Sequence, residues 1–326
     1  MKVLITGAGG FLGRHLSEKL MAAGHGVVGL DLRLEPPLAP GCEPVLGSVT
    51  EPETVARAIK GCDAVIHAAA VTGLWAQRRT IFHEVNVEGT RIVLDAAEAE
   101  GISAMVQVSS FVTLIAGGRG PVETVDERLE LPLEAMLGAY PRSKREAELI
   151  CRAHAVDPVI VLPSAPIGPG DYGPTPPGRL LEDLANRKLP ALLDCTWNFI
   201  GIEALAEGVI AALMRGVPGR RYLLSGENLT TAEMVKLFEV ASSVPVTRWR
   251  VPHGVALASA HLEERLAAIT GLSPKGPLTG VRLAGPRRRF DNARARAELD
   301  FDPPPVIDAF RAAIEWMRKY YRIPQM

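Results

Sequence analysis

Thr6-Gly7-Ala8-Gly9-Gly10-Phe11-Leu12-Gly13 is the stretch that decides how this chain is read. The apolar run Val3 to Ile5 before it reads as a short buried strand, and Phe11, Leu12, Leu16 and Leu20 recur at helical spacing over residues Gly10 to Ala23 after it. Between strand and helix, glycines keep the main chain bare. Gly7 allows a tight turn, Gly10 lets the backbone approach a pyrophosphate, and Gly13 permits close helix packing. The first turn of the helix then offers unpaired N–H groups and the positive end of its dipole to phosphates. Helix-opening glycines also serve packing alone, so the segment needs support from its surroundings.

The next strand supplies it. Val27 to Leu30 runs into Asp31, 18 residues after Gly13. A carboxylate there accepts hydrogen bonds from an adenosine ribose and repels a 2′-phosphate, which favours NAD over NADP. Arg33, two residues on, works against that preference because it is able to bind a phosphate. The pattern continues with a helix at Pro52 to Lys60, a strand at Ala64 to His67, a helix at Asn86 to Glu100, a strand at Ala104 to Val108, a helix at Pro141 to His154 and a strand at Pro158 to Leu162. Alternating strands and helices predict an α/β fold, a Rossmann-type doubly wound parallel sheet, with a smaller, mostly helical C-terminal lobe. Residues 1–163 read as the dinucleotide-binding domain, with 192–224 returning to it. Residues 164–191 and 225–326 read as a substrate-binding lobe. Residues 163 to 178 hold six prolines and four glycines, which predicts a shaped loop and excludes a regular helix or a central strand. A proline-rich bend at Pro303 to Pro305 precedes a last amphipathic helix, Ile307 to Tyr320.

Composition narrows the function. The 326 residues carry 36 Lys and Arg against 37 Asp and Glu, a formal charge of -1. So even a balance gives no field for a polyanion or an anionic lipid surface, so no nucleic-acid partner is expected. The four cysteines, Cys42, Cys62, Cys151 and Cys195, stand at least 20 residues apart, and the seven histidines form no HxxxH or HExxH spacing. No metal site is expected, and the thiols read as reduced and partly buried. The apolar run at the N-terminus is too short for a signal peptide, and no stretch approaches the length of a membrane span. The expected location is the cytoplasm and the expected partner a small-molecule substrate.

A second constellation carries chemistry. Tyr140-Pro141-Arg142-Ser143-Lys144 places a Tyr and a Lys at a helix start, and Ser109 and Ser110 follow the strand Ala104 to Val108. In a parallel sheet that strand end lies at the carboxyl edge, where ligands bind. Hydride transfer at a C–OH centre also moves the hydroxyl proton. A Tyr whose pKa is lowered by a nearby ammonium can move it, and a Ser hydroxyl can hold the oxygen. Pro141 suits a first helical turn but biases Tyr140 away from the α region, so the spacing alone does not put Tyr140 and Lys144 on one face.

Taken together, Thr6 to Gly13, His67-Ala68-Ala69-Ala70, Asn86-Val87-Glu88-Gly89-Thr90, Ser109-Ser110 and Tyr140 to Lys144 resemble the extended short-chain dehydrogenase/reductase family, of NAD-dependent epimerase/dehydratase type. Over nearly the whole length the chain looks most like the dihydroflavonol-reductase-like and hopanoid-associated sugar epimerase branch. The resemblance implies that Tyr140 is the general acid or base, Lys144 its tuner and ribose ligand, and Ser110, or else Ser109, the substrate-orienting hydroxyl. It implies a cofactor site built from Gly7, Gly10, Phe11, Leu12, Gly13, Asp31, Leu32, Arg33, Ser48, Val49, Ala68, Ala69, Ala70, Asn86, Val108, Ser109, Tyr140, Lys144, Pro163, Ser164 and Pro166. Candidate substrate contacts are Thr72, Trp75, Ser110 and Arg179. Relatives often pair through the helices Asn86 to Glu100 and Arg145 to His154, so a homodimer is expected. Departures exist as well. Gly47-Ser48 stands where the family usually has Gly-Asp, a weaker acceptor for adenine. Ala165 and the segment Asn198 to Glu203 lack the Asn and His that nucleotide-sugar epimerases place there. Arg287-Arg288-Arg289 reads as a solvated turn. The expected activity is NAD-dependent hydride transfer at a secondary alcohol or carbonyl. The alternatives are an epimerase or dehydratase that keeps its NAD, and a non-catalytic nucleotide sensor.

Overall fold

The computed structural model describes residues 1–116, 123–272, 274, 276–284, 288–320, 322 and 323. Seven strands form the central sheet: β1 (Lys2–Thr6), β2 (Gly26–Asp31), β3 (Glu43–Leu46), β4 (Ala64–His67), β5 (Ala104–Val108), β6 (Val159–Pro163) and β7 (Arg221–Leu224). Their order is β7-β6-β5-β4-β1-β2-β3, and every neighbouring pair is parallel. The order reverses between β1 and β4, and a crevice opens at such a switch point beyond the carboxyl ends of the strands.

Residue alternation explains why both faces are covered. Val3 and Ile5 of β1 pack with Leu16 and Leu20 of the first helix, α1 (Phe11–Ala22), while Leu4 joins the cluster on the other face. Val159 and Val161 of β6 likewise face one side, and Ile160 and Leu162 the other. β6, and β1 between Lys2 and Thr6, are apolar at every position, as expected for a parallel sheet buried on both sides. On the α1 face, Leu205 and Val209 of the helix Ile202–Arg215 complete the layer. The other face is closed by α2 (Pro52–Ile59), α3 (Gly89–Ala99) and α4 (Ala139–Ala153). A separate core around Phe199, Phe238 and Phe310 fills the C-terminal lobe.

Three expectations need correction. The proline-rich stretch is not loop throughout. Ala165–Ile167 is a strand at the edge of a three-stranded sheet with Thr196–Gly201 and Glu227–Thr230, where a missing N–H at Pro166 is tolerated. A helix begins at Pro176, with Thr175 as its N-cap and Pro in its first turn, where the proline N–H is not needed. The arginine run is not a solvated turn: Arg288–Phe290 is a strand paired with Glu123–Val125, and Arg288 is buried with its guanidinium on the Leu283 and Ala116 carbonyls. Arg287 lies outside the described residues. Finally, Tyr140 is helical despite preceding a proline, because α4 starts at Ala139 and Pro141 sits within its first turn. Tyr140 and Lys144 therefore stand one turn apart on one face. Among the described residues no helix is long and apolar enough to cross a membrane.

Candidate active site

The glycine loop closes around β1 by steric necessity. Gly13 lies so close to the Gly7–Ala8 backbone that a Cβ would come within 2.1 Å of the Gly7 carbonyl oxygen, which is the close helix packing the sequence implied. The bare approach expected of Gly10 is more acute at Gly9, which the motif reading passed over. A Cβ on Gly9 would meet the Arg33 carbonyl at 2.3 Å and the Asp31 carboxylate at 3.2 Å. Asp31 accepts the Gly9 N–H at 2.9 Å and the Arg33 N–H at 3.1 Å, and Arg14 donates to the Gly9 carbonyl at 2.9 Å. The strand-end carboxylate and the phosphate loop are thus one unit, with Leu32 and Arg33 exposed beside it. No side chain caps α1 at Gly10, so the N–H groups of its first turn are left for an outside anion. Ser48 spends its hydroxyl on Thr50, while Val49 is buried against Gly89.

Ala68, Ala69 and Ala70 follow β4 and run against Gly7, whose missing side chain leaves room for the Ala69 backbone. On the other side of the crevice β5 ends at Val108, whose carbonyl accepts Lys144 Nζ at 2.7 Å. Lys144 is buried. Burial pushes its pKa down to about 8, against the opposing pull of Glu148 and Cys151. Tyr140 is buried too. Burial raises its pKa above the ordinary phenol value, and the Ser110 hydroxyl, hydrogen-bonded to the phenol, opposes that rise. The sequence led us to expect Lys144 to lower Tyr140; in the chain alone desolvation wins and the phenol holds its proton more tightly.

The two serines part company. Ser110 reaches Tyr140 and accepts the Val112 N–H at 3.4 Å. Ser109 donates to Glu148 Oε1 at 2.5 Å, beneath the crevice. Glu148 is fully buried, and it also takes Thr113 Oγ1 at 2.8 Å, Arg145 at 3.0 Å and Arg221 at 3.2 Å. It ties the end of β5 to α4 and to β7, a role that sequence spacing does not reveal.

Asn86 lies in a single π-helical segment, Glu84–Glu88, ahead of α3. Its side chain is wholly committed: Oδ1 accepts Val71 N–H at 2.8 Å, and Nδ2 donates to Val71 O at 3.1 Å and to Ser143 Oγ at 2.9 Å. It clamps the segment after the alanines to the start of α4. Pro163 ends β6 and Ser164 follows it. The Ser164 hydroxyl is buried with no protein partner, and Pro166 is half-buried in the adjacent edge strand. An orphaned hydroxyl at the sheet edge, an uncapped helix start and a glycine wall that no side chain can occupy fit a dinucleotide laid across the switch point.

The substrate candidates are less unified. Thr72 is exposed and Trp75 half-buried, flanking Leu74, which packs in the apolar cluster of Tyr140, Phe82 and Val112. Arg179 is exposed in the helix Pro176–Ala185, 3.7 Å from Glu182. Asn198 is consumed by the Gly226 backbone and Asn228.

A sequence profile of the NAD dependent epimerase/dehydratase family matches residues 3–224. The chain is 31% identical to a protein of Synechocystis sp. named as a dihydroflavonol 4-reductase, over 97% of this chain and 94% of that protein. It is 31% identical to the 4-hydroxy-2-methyl-3-oxo-4-farnesyl-3,4-dihydroquinoline-1-oxide ketoreductase of Stigmatella aurantiaca, over 92% of each. The crystal structure of gox2253 superposes with a TM-score of 0.86 at 29% identity, covering 99% of both chains.

Proposed function

The chain is an enzyme of the NAD dependent epimerase/dehydratase family, and from that premise we propose that it reduces a ketone, or oxidises the matching secondary alcohol, on a small and largely apolar molecule. The observation that carries this reading is the buried Tyr140 phenol hydrogen-bonded to Ser110, one helical turn from Lys144. The dinucleotide, NAD in preference to NADP because of Asp31, supplies or takes the hydride. Ser110 holds the substrate oxygen, and Tyr140 exchanges the proton with it. A phenol whose pKa is raised by burial is protonated at neutral pH, so the resting chain is set to donate. Lys144, anchored on the Val108 carbonyl, would offset as an ammonium the charge left on Tyr140.

The apolar substrate class rests on the apolar side chains packed with Tyr140: Val71, Leu74, Ile81, Phe82, Phe111, Val112 and Leu283. The substrate named for the Stigmatella relative carries a farnesyl chain. The Tyr140→Phe variant tests the reading. A panel of ketones with apolar substituents is assayed with NADH and NADPH by loss of reduced-nicotinamide absorbance. Net oxidation of NADH by the wild type is expected, falling about 10²–10⁴-fold in Tyr140→Phe while NADH still binds. Full turnover in the variant, or turnover without net NADH consumption, would overturn the proposal.

A further inference from the structure

His67, the last residue of β4, is a member of the switch-point motifs still without a task. It is buried, with Nδ1 2.6 Å from Thr6 Oγ1 and Nε2 3.1 Å from Thr90 Oγ1. The protons around it are fully assigned by their partners. Ser143 Oγ donates to the Tyr140 carbonyl at 2.9 Å, so it accepts from Asn86 Nδ2. Thr90 Oγ1 donates to the Asn86 carbonyl at 2.7 Å, so toward His67 it accepts, and the imidazole carries its proton on Nε2. Nδ1 then accepts from Thr6 Oγ1, which itself accepts the Ala69 N–H at 3.2 Å.

The result is a path made of two runs of hydrogen bonds. The first leads from Ala69 through Thr6, His67 and Thr90 to the Asn86 carbonyl, and the second from Asn86 Nδ2 through Ser143 to the Tyr140 carbonyl, the two joined by the covalent frame of Asn86. The path's first members stand at the carboxyl ends of β1 and β4, against the glycine loop, and its last member at the start of α4. A doubly protonated imidazole would break the chain, because Nδ1–H would face Thr6 Oγ1 and leave the Thr6 hydrogen without its acceptor. Lys144, the cation that acts on His67, disfavours that state further.

We infer that His67 is a positioning residue that couples the dinucleotide end of the site to the Tyr140 end, through a fixed neutral tautomer hydrogen-bonded to Thr6 on one side and Thr90 on the other. The inference rests on the NAD site proposed above. Its two links are separable by substitution. Asn places a polar atom where Nδ1 stands and keeps the Thr6 link alone. Gln places one where Nε2 stands and keeps the Thr90 link alone.

The test titrates NAD into wild type, His67→Asn and His67→Gln by calorimetry. It also follows amide hydrogen exchange of the peptides covering Thr6–Gly13 and Ala139–Lys144 with and without NAD. In the wild type NAD is expected to protect both peptides. His67→Asn is expected to bind NAD with unchanged affinity and to protect Thr6–Gly13, but to lose the protection of Ala139–Lys144. His67→Gln is expected to bind NAD about tenfold more weakly, as for loss of one buried hydrogen bond. The inference alone is overturned if both variants bind NAD and protect both peptides as the wild type does, or if both lose affinity and protection equally, which is general loosening. A wild type that does not bind NAD overturns the functional reading and this inference with it.

Discussion

Around Gly9 and Gly13 the site owes its shape to side chains that are absent; around Tyr140 it owes its shape to polar side chains that are buried. At the first place backbone meets backbone: the Gly7 carbonyl against Gly13, the Arg33 carbonyl against Gly9, and two N–H groups on Asp31. At the second, Ser109, Thr113, Arg145 and Arg221 converge on Glu148, and Asn86 and His67 string together segments from four elements. The difference teaches where each end is vulnerable. A backbone cradle fails by crowding. A buried polar network fails when one partner leaves and the others are stranded.

The largest expected effect on stability is therefore at the tyrosine end. Glu148→Leu leaves Arg145 and Arg221 without their buried carboxylate and is expected to cost about 3–5 kcal/mol in urea unfolding. A loss under half of that would mean that the carboxylate of Glu130, which also meets both arginines, carries the pair. At the nucleotide end, Gly13→Ala is expected to cost roughly 1–3 kcal/mol by overpacking. It should weaken NAD binding without altering exchange at Ala139–Lys144 in the unliganded chain. If that exchange rises as well, the two ends are less distinct than their construction suggests.

The remaining effect is graded with pH and belongs to the link between the ends. Burial and Lys144 push the His67 pKa down from 6.5 to about 3. Between those values the unfolded chain binds a proton at His67 that the folded chain does not. The stability difference therefore favours the folded chain at the upper end and shrinks as pH falls. The slope attributable to this residue is about 1.4 kcal/mol per pH unit from near pH 6 toward pH 3. Unfolding curves at a series of acid pH values compare the wild type with His67→Gln, which is expected to show a shallower decline. Parallel declines in the two proteins would place the acid sensitivity elsewhere.

Much of this was open to reading from local sequence. The strand and helix periods gave β1, β2, β4, β5 and β6 to within a residue or two, because the period of apolar positions is a local property. β3 escaped that reading: Glu43-Pro44-Val45-Leu46 has no apolar run, and Pro44 is acceptable only because the strand is an edge. β7 escaped as well, because Arg221, fully buried at its start, spoils the apolar run until Glu148 and the Leu129 carbonyl are known to meet its guanidinium. The Tyr140 and Lys144 pair was visible, but the sign of the shift on Tyr140 was not, since burial outweighs any help from the lysine.

By itself, then, the amino-acid sequence determined the alternating α/β order, the glycine turn into α1 and the acid at the end of β2. Each follows from sterics, helix and strand periods or main-chain hydrogen bonds within a few residues. Only the tertiary structure decided that Ser110 and not Ser109 meets Tyr140, that Tyr140 and Lys144 share one face of α4, that Gly9 packs against the Arg33 carbonyl, and that His67 carries its proton on Nε2. The deciding contacts join residues far apart in the chain: Thr6 with His67 across 61 residues, Asn86 with Ser143 across 57 and Ser109 with Glu148 across 39. No local pattern encodes them, because the partner that fixes each proton arrives only when the strands align side by side.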